Sequence, residues 1–69
     1  MKVSARNSLK ATVKKVMAGA VNTEVILEVV PGVEIVAIIT KSSAESLGLS
    51  EGKEAYAVIK SSDVMVAVD

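Results

Sequence analysis

The stretch TEVILEVVPGVEIVAIIT, Thr23 to Thr40, holds two apolar runs separated by Pro31-Gly32. In the first run Val25, Leu27 and Val29 fall on one face, and Glu24, Ile26 and Glu28 on the other. That period of two is strand spacing. Pro31 presets φ and Gly32 accepts the positive φ of a type II turn, so Val33 to about Thr40 is expected to return as a hairpin partner. Upstream, Leu9 to Met17 reads as a preceding strand, with Val13 and Lys14 on opposite faces. The small residues Ala18-Gly19-Ala20, followed by Val21-Asn22, supply the turn between them. Downstream the period changes between Lys41 and Leu49. Ser42-Ser43-Ala44-Glu45 fits a capping box with Ser42 as N-cap, and Gly48 offers a left-handed stop, so a helix of one or two turns is expected. Ser50 to Lys53 forms the next turn, Glu54 to Lys60 a fourth strand, Ser61-Ser62-Asp63 a tight break, and Val64 to Val68 a fifth strand. An all-β domain of five strands, with a short helix between the third and fourth, has the element order of an OB-fold, a small Greek-key barrel.

The whole chain, residues 1–69, reads as a single domain. A domain this small buries only about 60% of its unfolded surface and usually needs a disulfide, a metal or a partner subunit. The sequence holds no cysteine and no histidine, which removes disulfides and nearly every transition-metal arrangement. Oligomerisation is the remaining supplement. Ile26, Val30, Val36 and Ile38 fall opposite the expected core rows, and one barrel cannot hide both rows, so burial against another subunit is expected.

Eight basic residues balance eight acidic ones, and Tyr56 is the single aromatic. Nucleic-acid binding is therefore disfavoured twice, for want of excess positive charge and of stacking platforms. No apolar stretch reaches membrane-spanning length, and Met1-Lys2-Val3 does not lead into a signal-peptide core, so a cytoplasmic protein without a membrane partner is expected.

Catalysis is not expected from this inventory. No histidine can act as a base, and Lys60 and Ser61, adjacent on an extended segment, point to opposite faces rather than forming a dyad. Glu24 and Glu28 share a strand face as a solvated row. Binding fits better. Ser4, Arg6 and Asn7 precede the first strand, Thr40 ends the third, Ser42-Ser43 open the helix, and Lys60, Ser61 and Ser62 end the fourth. These clusters hold hydroxyls and cations and no carboxylate before Asp63. Free N–H groups at a helix start add to such a wall, and an arginine fork, a lysine point charge and rotatable hydroxyls suit a compact anion. Each cluster also has a plainer use: Ser42 with Glu45 as a cap, Lys60-Ser61-Ser62 as a solvated turn, Arg6 as a charge guarding a sheet edge. Lys14-Lys15 reads as a solubilising pair, and Met17 and Met65 as core filler. The residues alone point to an oxyanion and do not name it.

The segments SARNSLKATVKKV, GAVNTEVILEV and AIITKSSAESLGLSEGKEAYAVIKSSDVMVAV together resemble the molybdate-binding proteins called molbindins, whose single domain is also known as the TOBE or Mop domain. The likeness runs over essentially the whole chain. Its most specific parts are SARN near the start, the T-x-x-S-x-x-x-LGL segment from Thr40 to Leu49, and the closing I-K-S-S-x-V-M. One departure is Ala11, where family members commonly carry glycine. The resemblance implies an OB-like barrel assembled into a homohexamer, a trimer of dimers, that binds molybdate and tungstate for storage and homeostasis and needs no cofactor. It implies a main site between subunits, built from Ser4, Arg6, Thr40, Ser43, Lys60 and Ser61, with Asn7 fixing the local turn. A second class of anion site, near three-fold axes, is expected around Ala20, Val21 and Asn22. The alternative within the same family is a molybdate-sensing module acting on a transporter or a transcription factor. A pterin ligand is not expected, because its ring would favour aromatic stacking that one tyrosine scarcely offers.

Overall fold

The computed structural model describes every residue from Met1 to Asp69. Its elements are β1 (Asn7–Ala18), β2 (Asn22–Val30), β3 (Val33–Thr40), the helix α1 (Lys41–Ser46), β4 (Glu54–Ile59) and a 3₁₀ turn (Ser61–Asp63). The strands form one antiparallel sheet in the order β3-β2-β1-β4. The hairpin of β2 and β3 matches the alternation of the sequence, with Val30 opposite Val33 across the Pro31-Gly32 turn.

The long strand β1 organises the rest. Its first half, Asn7 to Thr12, pairs with β4, and its second half, Thr12 to Ala18, pairs with β2. Between the halves the register slips, from Val13 opposite Leu27 to Lys15 opposite Ile26, which leaves Lys14 as a bulge. A bulge bends its strand and increases local twist. Here it lets one strand serve two partners and curls the sheet. At the bend, Val13 keeps its backbone satisfied by the following turn, donating to Lys53 O and accepting from Gly52 N, both at 2.8 Å.

Inside the curl lie Ala11, Val13, Val25, Leu27 and Ala57, with Val16, Ile35, Ile39 and Leu49 packed against them. Ala11 is 4% exposed within this cluster, and no non-glycine residue has a positive φ, so alanine fits there without backbone strain. Only seven of the 69 residues are buried, a small core for a chain this apolar. Thr23 is one of them at 1% exposure, and its hydroxyl has no hydrogen-bond partner. An unpaired buried hydroxyl carries a desolvation penalty that an isosteric methyl does not. Thr23→Val is therefore expected to hold or raise stability, by up to about 1 kcal/mol, read as an unchanged or higher urea midpoint; a clear loss would mean that this hydroxyl has a partner in solution.

Two expectations are corrected. The helix begins one residue after Thr40, and Thr40 is its N-cap in place of Ser42: Thr40 is extended (φ −68°, ψ 152°) and its Oγ1 accepts from Ser43 N at 3.1 Å. The last residue of β3 thus caps the helix directly, and Glu45 has no reciprocal bond to make. The stop at Gly48 is as expected. With φ 62° it closes a Schellman motif in which Gly48 N donates to Glu45 O and Leu49 N to Ala44 O. The Lys53 ammonium then donates to Leu47 O at 2.7 Å and to Gly48 O at 3.2 Å, a cation at the negative end of the helix.

The second correction is larger. Val64 to Val68 is not a strand: the sheet has four strands, not five, and this tail pairs with neither edge. Met65, Val66 and Val68 are 94%, 88% and 92% exposed. The period-two pattern is real, but within this chain the 3₁₀ turn releases the tail into solvent instead of returning it to the sheet.

Candidate functional site

Antiparallel pairing of β1 with β4 brings the start and the end of the chain together. Asn7 lies opposite Ile59, and the Asn7 side-chain amide donates to Ile59 O at 3.2 Å. The clamp fixes the segment before β1 beside the segment after β4, a tie across two strands in place of the local turn expected of Asn7. Between them is a cavity of about 90 Å³ lined by Ser4, Ala5, Arg6, Lys60, Ser61 and Ser62. By liquid volume it has room for about three waters.

Its chemistry is one-sided. Arg6 and Lys60 bring cations, Ser4, Ser61 and Ser62 bring hydroxyls, and no carboxylate lines it. Asp63 closes the 3₁₀ turn through its backbone, its N–H donating to Lys60 O at 2.9 Å. The ion pairs of the chain lie elsewhere, Lys10 with Glu54 and Lys14 with Glu28 and Glu34, so neither Arg6 nor Lys60 has a carboxylate within 4.0 Å. Those pairs hold both ammonium pKa values above the ordinary 10.5, chiefly through the hydrogen bonds to Glu54 and Glu34. Their contribution is complete below that ordinary value and is lost only as pH rises through the higher folded one. A wider hollow, lined by Lys10, Ala11, Thr12, Val29 and Glu54, already contains its own counter-ion.

Four of the six expected residues thus meet in one cavity. Ser62 joins them; it stood in the same hydroxyl cluster in the sequence, and the run Ser61-Ser62 was the signal that it belonged. Ala5 completes the wall between Ser4 and Arg6. Thr40 and Ser43 are not there. They lie at the other end of β1, where Thr40 pairs with Asn22 and Ala18 with Thr23. Between them and Arg6 runs the whole of β1, 12 residues or about 40 Å of bent strand at about 3.3 Å per residue. At that end Thr40 Oγ1 donates to Ser43 Oγ at 2.8 Å and lies 3.3 Å from Ser42 Oγ. The Ala20-Val21-Asn22 segment is its neighbour, since Lys41 N donates to Val21 O and Gly19 N to Asn22 O, both at 2.8 Å. Gly19 is required for that turn, because a Cβ there would stand 2.7 Å from Asn22 O.

Fold and cavity together define a class: a small curled antiparallel β domain with a donor-only pocket where its two chain ends meet. The family model described as the TOBE domain matches residues 3–66, and the chain belongs to that family. It is 50% identical over 66 residues to molybdenum-pterin-binding protein 3 of Clostridium pasteurianum, covering 96% of this chain and 97% of that one. Its structure superposes on that of a molybdate-binding protein from Sporomusa ovata with a TM-score of 0.91 and 37% identity, over 99% of this chain and all of the other. It also matches the cytoplasmic molybdate-binding protein ModG, solved with molybdate bound, with a TM-score of 0.88 and 48% identity over 94% of this chain and 46% of that one.

Proposed function

We propose that this protein binds molybdate, and tungstate with it, as a cytoplasmic store that buffers the free anion, at sites completed between the subunits of a homohexamer arranged as a trimer of dimers. The observation that carries this reading is the cavity at the chain ends, where two unpaired cations and three hydroxyls converge without a carboxylate. Molybdate is a tetrahedral dianion that accepts hydrogen bonds at every oxygen and donates none near neutral pH. Donors alone suit it, and Arg6 and Lys60 balance its two charges. The names of the molybdate-binding relatives support the same choice. Tyr56, the single aromatic, stands 53% exposed on the outer face of β4 opposite Lys10 and does not line this cavity.

The subunit-bridging part of the reading follows from distance. Thr40 and Ser43 share a site with Arg6 and Lys60 only if a second copy presents its opposite end. The exposed apolar row supports such a contact: Val30, Val36 and Ile38 are 52%, 58% and 67% exposed, on the face turned away from the core. Ala20, Val21 and Asn22, beside Thr40, are the proposed location of the second class of site. The role is binding rather than catalysis, with molybdate as cargo and no cofactor.

Isothermal titration tests the reading directly. Molybdate and tungstate are expected to bind tightly and alike, being nearly the same size and charge. Sulfate, a smaller tetrahedral dianion, is expected to bind weakly, since only cavity size separates it from the others. Equal affinity for sulfate, or no heat with molybdate, would reject the assignment. Native mass spectrometry on the same samples is expected to show six chains; a monomer that binds with full affinity would reject the subunit-bridging site.

A further inference from the structure

The ladder between β1 and β4 ends at Asn7 opposite Ile59. Continued by one step, the same register sets Arg6 opposite Lys60, two cations with no carboxylate within 4.0 Å of either. Like charges directly opposite destabilise a strand pairing. Elsewhere in the sheet the same conflict is relieved from within: Glu28 stands opposite Glu34, and the Lys14 ammonium bridges the two. Arg6 and Lys60 have no such bridge from the chain itself. Past Asn7 and Ile59, no backbone hydrogen bond joins Ser4–Arg6 to Lys60–Ser62. The last polar tie before the two cations is the Asn7 side-chain amide, donating to Ile59 O at 3.2 Å.

We infer that Asn7 is a positioning residue of the anion site, whose amide holds Arg6 and Lys60 side by side while no anion balances them. The inference rests on the molybdate-binding reading for its ligand, and on the strand register for its electrostatics. Asn7 does not line the cavity and so acts through the two cations rather than on the anion. Its chemistry suits that task. A neutral amide ties the strands without charge, whereas a carboxylate at this position would be a resident counter-ion that an incoming dianion has to displace. A cation there would add to the repulsion. An anion that arrives where the two cations are already together does not have to gather them, and affinity rises by the ordering avoided. The Lys14 bridge and the anion cavity are then opposite solutions to one problem: a pair of like charges across two strands, neutralised permanently in one case and only by the cargo in the other.

Titration of Asn7→Ala with molybdate, beside the unaltered protein, tests the role. At low salt the affinity is expected to fall about three- to tenfold, the worth of one hydrogen bond. In about 1 M potassium chloride, where screening acts within about 3 Å, the two cations repel less and the ratio of affinities is expected to narrow to under about twofold. In a Lys60→Met background, which removes one cation of the pair, Asn7→Ala is expected to cost under about twofold at either salt. No loss at low salt overturns the inference. A loss of the same size in every salt and background overturns it as well, by showing that Asn7 only braces the fold. Amide exchange in anion-free protein separates this result from the identity of the ligand. The outer pairs Asn7–Ile59 and Ser8–Val58 are expected to exchange faster in Asn7→Ala, and adding Lys60→Met is expected to remove the excess. Both effects are local to the ladder end, so the thermal melt of the whole domain is expected to stay the same. Unchanged exchange in Asn7→Ala overturns the inference even where molybdate binds. The expected exchange pattern in a protein that binds no molybdate upholds the hold on the two cations and rejects the ligand alone.

Discussion

Arg6→Ala is expected to weaken molybdate binding by one to two orders of magnitude while leaving the fold and the assembly unchanged. The size follows from the kind of interaction removed: a hydrogen bond to a charged group contributes roughly 1.5–3 kcal/mol, and each 1.4 kcal/mol is a factor of ten. The selectivity of the effect follows from the surroundings of Arg6. It is exposed, it makes no ion pair, and the polar contact tying its segment to β4 belongs to Asn7. Titration calorimetry measures the change, and a thermal melt without anion is expected to coincide with that of the unaltered protein. Lys60→Ala is expected to act in the same direction, with a smaller effect where a point charge contributes less than a fork. Full affinity in Arg6→Ala would remove the cavity at the chain ends from the binding site, whatever the assembly does.

Leu27→Ala is expected to have the largest effect on stability. Leu27 is 6% exposed, lies opposite Val13 at the bend of β1, and packs in the core with Val25 and Ala57. Truncating a buried leucine costs about 2–5 kcal/mol, part in transfer energy forgone and part in the cavity left behind. At the average per-residue stability, a domain of this length has about 3–10 kcal/mol in all. The variant is therefore expected to lose about half of its stability, visible as a strongly lowered urea midpoint followed by far-ultraviolet circular dichroism. A shift of less than about 1 kcal/mol would mean that the surroundings collapse onto the vacancy, and that the core is more plastic than its packing implies.

The hairpin from Thr23 to Thr40 was legible almost to the residue because two independent signals agree there, alternation in both runs and a turn dipeptide between them. The helix start was legible in kind but not in position. Ser42 and Thr40 both carry a hydroxyl able to cap, and Thr40 takes the role because β3 delivers it in extended conformation beside the first free N–H. The tail shows a different limit. A period of two says that a segment is able to pair as a strand; it does not say that the segment reaches an edge to pair with. The site divides in the same way. Serine, arginine and lysine clusters at strand ends were visible in the sequence, including the four residues that meet in one cavity. That Thr40 and Ser43 stand at the far end of β1 follows from the registers of the two hairpin-like pairings, which spacing along the sequence does not carry.

The clamp between Asn7 and Ile59 joins residues 52 positions apart, and the cavity just beyond it is walled by segments from both ends of the chain. An anion seated there acts as a removable rivet across nearly the whole length of the polypeptide, as a terminal disulfide would. It opposes the loop entropy of separating those ends, which for so long a loop changes little with further length. A ligand that binds only the folded form at a hundred times its dissociation constant adds about 2.7 kcal/mol. Amide exchange is then expected to slow first at the outer pairs of β1 with β4, from Asn7 and Ser8 to Val58 and Ile59, so that the fraying of the two ends becomes a gauge of the free anion around them.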